Sequence, residues 1–279
     1  MTATEVPRLH DRNRNFTWPE TRTGPVTLTQ DQLNAWHEQG FFVLRQVLDP
    51  DLLARVEADI DPLEAEREDM MRRLGGRQGI SQADAITFTV HIVLQSVAAR
   101  ELVTAAPLTG LAKDLLGDNV RLYWDQGVYK KPENPAEFPW HQDNGYTFVE
   151  PQTYLTCWIP LNSATVENGA PWVVPELHRL GTLHHRWTDL GFECLADPEG
   201  AVSLAAEPGD VIVFSSLTPH RTGPNLTDTV RKAYIVQYAA DGTAMYPRDQ
   251  DGPLPQQHPD RQFPVLLNGE AVSAPKLSD

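Results

Sequence analysis

Five consecutive residues, Pro139-Trp140-His141-Gln142-Asp143, hold an imidazole and a carboxylate separated by one residue. On a strand the side chains alternate, so His141 and Asp143 are expected on one face and Gln142 on the other. A ring nitrogen then sits beside a carboxylate oxygen, two legs of a metal tripod. Pro219-His220, after an apolar run, offers the third. Two imidazoles and one carboxylate on one face of a metal leave other positions open, the donor set of non-haem Fe(II) chemistry. His-x-Asp by itself is common. Its companions make it specific.

The main companion is Arg231, which opens Arg231-Lys232-Ala233-Tyr234-Ile235-Val236-Gln237-Tyr238. Alternation puts Arg231, Ala233, Ile235 and Gln237 on one face. If that small and apolar face looks inward, a guanidinium looks inward too. It cannot lose its proton there, and a bidentate carboxylate is its natural partner. A dicarboxylate that chelates iron at one end and meets Arg231 at the other describes 2-oxoglutarate. Trp124 and Gln126 share a face of the preceding strand; lining the pocket and packing in the core are both open to them.

These residues must be carried by β-structure. From Val120 onward short β-rich runs recur between Gly, Pro and Asn: Val120 to Tyr129, Tyr154 to Leu161, Trp172 to Val174, Asp210 to Ser215 and Arg231 to Tyr238. Such punctuation without long helices predicts an antiparallel jelly roll, a cupin-like double-stranded β-helix. The fold class is therefore mainly β with flanking helices and a helical N-terminal half. One domain is expected: an extended arm over 1–26, mainly helical support over 27–118, the core over 119–240 and a surface tail over 241–279.

Within the support, Thr29 and Gln32 form a capping box for a helix that Gly40 ends. Asp49-Pro50 opens a second helix, whose charged end, Glu64 to Arg73, reads as a solvated face or mobile lid. Ile86 to Val97 fits strand or helix. Arg100 to Leu116 reads as one helix despite Pro107. His91 reads as a satisfied core histidine and His178 as a structural loop residue. His184-His185 face opposite ways if extended, and both read as exposed or loop residues.

Composition narrows the function classes. A formal net charge of −15 argues against nucleic-acid or anionic-membrane surfaces. With 2 cysteines and no CxxC pair there is no disulfide framework, so a reducing cytoplasm is the default. The N-terminus has no signal-like apolar core, and no apolar run suits a membrane span. The expected partner is a small molecule; oligomeric state is unreadable.

The motifs together resemble the phytanoyl-CoA dioxygenase family of Fe(II)/2-oxoglutarate-dependent oxygenases, from about Leu28 to Tyr238. Beyond Trp140-His141-Gln142-Asp143, the resemblance rests on Thr156-Cys157-Trp158-Ile159-Pro160-Leu161 and on Glu167-Asn168-Gly169 leading into Val173-Val174-Pro175. Pro208-Gly209-Asp210 through His220 to Arg231 completes it. It implies iron bound by His141, Asp143 and His220, and the distal carboxylate of 2-oxoglutarate bound by Arg231. Thr222 matches a hydroxyl position that assists this arginine, and Thr156 a position that contacts the cosubstrate in some relatives. With O2, such a site hydroxylates an unactivated C–H of a natural-product, lipid or amino-acid-like molecule, releasing succinate and CO2. Desaturation, epoxidation or cyclisation on the same site, and a non-catalytic cupin-like binding protein, are the alternatives. Asp143 separates the chain from the halogenases of this superfamily, which carry a small residue there. Pro175-Glu176-Leu177-His178 departs from the usual Pro-Gly-Ser-His.

Overall fold

The computed structural model describes residues 7–19, 24–248 and 252–277. The N-terminal helix, Gln30–Glu38, has both halves of its capping box: Thr29 accepts from the Gln32 amide and Gln32 reaches back to Thr29. Leu33 and Trp36 face the core, and the chain turns at Gly40, φ +86°, into the strand Phe41–Leu44. Asp49 caps the long helix Pro50–Arg73, with proline in its first turn. Its charged end is not a plain solvated face: Glu64 and Glu68 are buried. Glu64 accepts from the Thr87 hydroxyl at 2.6 Å, and Lys131 lies 2.8 Å from Glu64 and 2.5 Å from Glu68. Buried carboxylates need such partners.

Ile86–Val90 is a strand, followed by a short 3₁₀ turn over Ile92–Leu94. The helix expected over 100–116 is two, Val97–Val103 and Ala106–Leu116. Pro107 lacks the amide that an inner turn needs and sits instead in the first turn of the second helix, which Gly117 closes.

The core is the double-stranded β-helix. Its large sheet runs, all antiparallel, through Phe41–Leu44, Val211–Ser215, Leu155–Pro160, Arg231–Ala240, Val120–Lys130 and Ile86–Val90. The facing sheet is Val202–Ser203, Pro171–Val173, His220–Thr222 and Phe138–His141. Alternation along Arg231–Ala240 divides two apolar clusters. Ala233 and Ile235 pack inward with Trp158, Phe214, Val128 and Phe138. Tyr234, Val236 and Tyr238 pack outward against Val56, Ile60 and Leu102 of the helices. Both faces are buried, which is why this strand reads as almost continuously apolar.

The ends of the chain are more engaged than expected. In the arm, Leu9 bridges to Leu183, and Asn13 donates to the carbonyls of Leu180 and Thr182 at 2.8 and 3.0 Å. Residues 1–6 and 20–23 of the arm lie outside the described residues. The tail does not simply lie on the surface. Val120–Lys130 outruns its Ile86–Val90 neighbour, and Pro264–Leu267 pairs with the exposed edge, burying Phe263, Val265 and Leu266. An unpaired edge is a liability that this covers.

Candidate metal centre and barrel interior

His141, Asp143 and His220 come together, the first two on one side of the chain as their spacing predicts. His141 ends the strand Phe138–His141, and Asp143 opens a single helical turn, Asp143–Tyr146. The turn begins only after Gln142, which is extended at φ −108° and ψ 143°, so the expected alternation holds across His141-Gln142-Asp143. The Gln142 side chain, fully buried, bonds the carbonyls of Gly181 and Leu217 and the amide of Leu183. His220 lies directly opposite His141 in the neighbouring strand. One ligand atom from each of the three residues falls within 4.8 Å of the other two.

The rings are aimed from behind. Nδ1 of His141 lies 2.8 Å from the Pro139 carbonyl, and Nδ1 of His220 lies 3.0 Å from that of Thr218. Each ring donates through Nδ1–H, which leaves Nε2 with its lone pair free, as a metal requires. Burial, then His220, lowers the His141 pKa to about 3, and burial lowers His220 to about 4. The 3.6 Å approach of His220 Nε2 to Asp143 is therefore no ion pair: the imidazole is neutral. Burial raises the Asp143 pKa, opposed by His141 and by the Thr156 and Gln237 side chains. The Thr156 hydroxyl donates to Asp143 Oδ2 at 2.6 Å and accepts from Gln237 Nε2 at 3.2 Å. Thr156 thus serves the carboxylate directly.

At the other end of the interior, Arg231 is fully buried, with its guanidinium 5.2 Å from the centre of the Trp158 ring. Only Nη1 has an acceptor, the Val128 carbonyl at 3.2 Å; Nε and Nη2 have none. An unpaired buried donor costs about 1–3 kcal/mol, more when charged. The Thr222 hydroxyl is also buried without a partner. Lys130 sits opposite Arg231 in register and donates to the carbonyls of Gly223 and Thr222. Burial, then Arg231, pulls Lys130 down to about 7. Two free imidazole nitrogens with a carboxylate suit iron at one end. Unpaired guanidinium donors suit a carboxylate at the other.

Trp124 and Gln126 lie in register with Gln237 and Ile235, hence on the inward face at the metal end. They bond each other, Trp124 Nε1 to Gln126 Oε1 at 3.1 Å. His91 is not a satisfied core residue. It is left-handed, φ +58°, packs edge-on against Trp124, and its buried Nδ1 has no partner. His185 is buried rather than exposed: its Nε2 accepts from the amide of Gln142, between two ligand positions, at 2.9 Å. A methyl at Gly145 would collide with that ring. His178 is fully buried beneath Trp18, and Glu176, where the Pro-Gly-Ser-His pattern has glycine, is left-handed at φ +69°. The roles of Gln142 and His185 leave no local sequence signal, since they depend on which distant loops meet.

A family model described as phytanoyl-CoA dioxygenase matches residues 36–233. Methylphosphonate hydroxylase of Gimesia maris is 28% identical over 216 residues, 77% of this chain and 82% of that protein. The solved structure of EctD from S. alaskensis, in its apoform, has a TM-score of 0.66 at 23% identity, covering 95% of this chain and 93% of that one. EvdO2 from Micromonospora carbonacea var. aurantiaca, complexed with 2-oxoglutarate, has a TM-score of 0.61 at 23% identity, covering 84% and 97%. At these identities the structural likeness is one of fold.

Proposed function

The chain belongs to the phytanoyl-CoA dioxygenase family, and on that premise we propose that His141, Asp143 and His220 hold its iron and Arg231 its cosubstrate. The protein is an Fe(II)/2-oxoglutarate-dependent oxygenase. Iron, 2-oxoglutarate and O2 bound together supply the oxidising power that inserts oxygen into a C–H bond, releasing succinate and CO2. The rest falls to this chain. Burial keeps both imidazoles neutral, and the Pro139 and Thr218 carbonyls aim them. Thr156 and Gln237 fix the Asp143 carboxylate so that Oδ1 stays available. Arg231 and the Thr222 hydroxyl take the distal carboxylate of 2-oxoglutarate. Phe214 and Ile235, buried between the two ends, keep the path between them dry.

The observation that carries this reading is the pairing of a neutral His-Asp-His cluster with an unpaired guanidinium inside one barrel. The described chain serves as one catalytic domain. Among the described residues no helix is long and apolar enough to cross a membrane. A cytoplasmic enzyme acting on a small molecule, without nucleic-acid or membrane partners, fits the acidic surface and the small-molecule relative. The product is a hydroxylated substrate.

Anaerobic titration with Fe(II) and 2-oxoglutarate tests the assignment. A weak visible charge-transfer band is expected in the native protein and not in Asp143→Ala or His220→Ala. A persisting band in either variant removes that residue from the metal.

A further inference from the structure

The metal-end wall of the barrel continues outward into a group that the metal and cosubstrate do not use. Asp125 is fully buried, and its two oxygens differ. Oδ2 accepts from the Val93 amide at 3.0 Å and from the Tyr234 hydroxyl at 2.9 Å; Oδ1 accepts from nothing. Nδ1 of His91, equally unpartnered, lies 3.9 Å from Oδ1. That approach is no ion pair, because burial, then Arg261 and His258, lower His91 to about 4. A neutral ring with its proton on Nδ1 faces the carboxylate correctly and leaves Nε2 as an acceptor. Arg261 Nη1 stands 3.5 Å from Nε2.

Four further observations point this chain of groups towards the metal end of the barrel. His91 holds a left-handed backbone at φ +58°, strain that gathers at functional positions. Its ring packs 4.3 Å from Trp124, whose face is the inward one at the metal end. Gln262, next to Arg261, is buried and donates to the Tyr123 carbonyl at 3.3 Å, which ties the tail to the strand that carries Trp124. Among the described residues Arg261 makes no ion pair, although the chain is strongly acidic.

We propose that Arg261 is the substrate-binding cation at the barrel mouth, held in place through His91 by Asp125, and that the substrate carries a small oxyanion, a phosphonate or carboxylate. The proposal rests on the oxygenase reading above. Arg261 touches the substrate; His91 and Asp125 are positioning residues. The two loose distances, 3.9 and 3.5 Å, close to hydrogen bonds when the anion draws the guanidinium inward.

Calorimetric titration of the anaerobic Fe(II)/2-oxoglutarate protein tests this, with methylphosphonate, propionate and the neutral dimethyl sulfone as probes. At least one anion is expected to bind with at least about tenfold preference over the sulfone, the worth of a charge-assisted bond. The better anion distinguishes phosphonate from carboxylate. Arg261→Met should abolish the preference, Arg261→Lys should restore part of it, and His91→Asn should weaken anion binding while leaving the sulfone unchanged. Asparagine is chosen because it tolerates the left-handed backbone. Anions that bind no better than the sulfone, or an Arg261→Met variant with the preference intact, overturn the proposal. Failure of the oxygenase reading looks different: the native protein would then show no charge-transfer band, whatever the anions do.

Discussion

The two ends of the barrel interior treat polar atoms in opposite ways. At the metal end every side chain is aimed from behind: Pro139 holds His141, Thr218 holds His220, and Thr156 with Gln237 holds Asp143. At the floor, Arg231 keeps two nitrogens unpaired and Thr222 an unpaired hydroxyl, with a second cation, Lys130, in register beside it. The first end spends its hydrogen bonds before ligand arrives and so presents a fixed geometry. The second withholds them, storing a cost that an incoming carboxylate removes. On the proposed assignment, metal binding is a matter of preorganisation, and cosubstrate binding a matter of neutralisation.

Arg231→Met breaks the comparison most severely. Losing a bidentate charge-assisted contact of about 2–4 kcal/mol should raise the 2-oxoglutarate requirement roughly 30- to 1000-fold. The same change removes an unpaired buried charge, so the ligand-free protein should melt at an equal or higher temperature. Titrating 2-oxoglutarate by the charge-transfer band and recording thermal unfolding without it checks both halves. A variant that loses stability along with affinity would show that Arg231 is structural, and the two ends would then not differ in kind.

Thr156→Val tests the preorganised end. It keeps the shape but deletes the 2.6 Å bond to Asp143. A partner behind a ligand is worth about 10- to 100-fold in metal affinity. Fe(II) should therefore bind more weakly by roughly that factor, with 2-oxoglutarate affinity of the loaded protein unchanged. Unchanged Fe(II) affinity would mean that Asp143 needs no support.

The sequence made the proposed ligands easier to single out than the groups that support them. His141, His220 and Arg231 are legible because each lies in or beside a strand whose alternation can be read locally, and the jelly roll follows from the punctuation of those strands. Asp143 is legible in the same way, because Gln142 is extended and turned away; the helical turn that begins at Asp143 and the contacts of Gln142 with Gly181, Leu183 and Leu217 are not. No local pattern carries those contacts. The same holds for His185, which looks like half of an exposed pair until the loop returns to the Gln142 amide. Arg261 is least visible, because a Pro- and Gln-rich tail gives no sign that its next residues pair with an open sheet edge.

The smallest expected effect concerns Lys130, the second cation at the floor. Its folded pKa, about 7, lies below the ordinary lysine value of 10.5, because burial and then Arg231 oppose the charge. Its contribution to stability is fully present above the unfolded pKa and is lost as pH falls through about 7. Between pH 9 and pH 6 the native protein should therefore lose stability through this group, by up to a few kcal/mol in order of magnitude. Lys130→Met should flatten that slope, at the expense of the bonds to Gly223 and Thr222. Chemical denaturation of both proteins at pH 6 and pH 9 measures it, and parallel slopes would show that Lys130 is not under strain. An anion beside Arg231 also neutralises Lys130, so cosubstrate should bind native protein more tightly at pH 6 than at pH 9. In Lys130→Met that difference should shrink. Neutralisation at the floor would then be shared by two residues, while the metal end, whose imidazoles are already neutral, has no counterpart to it.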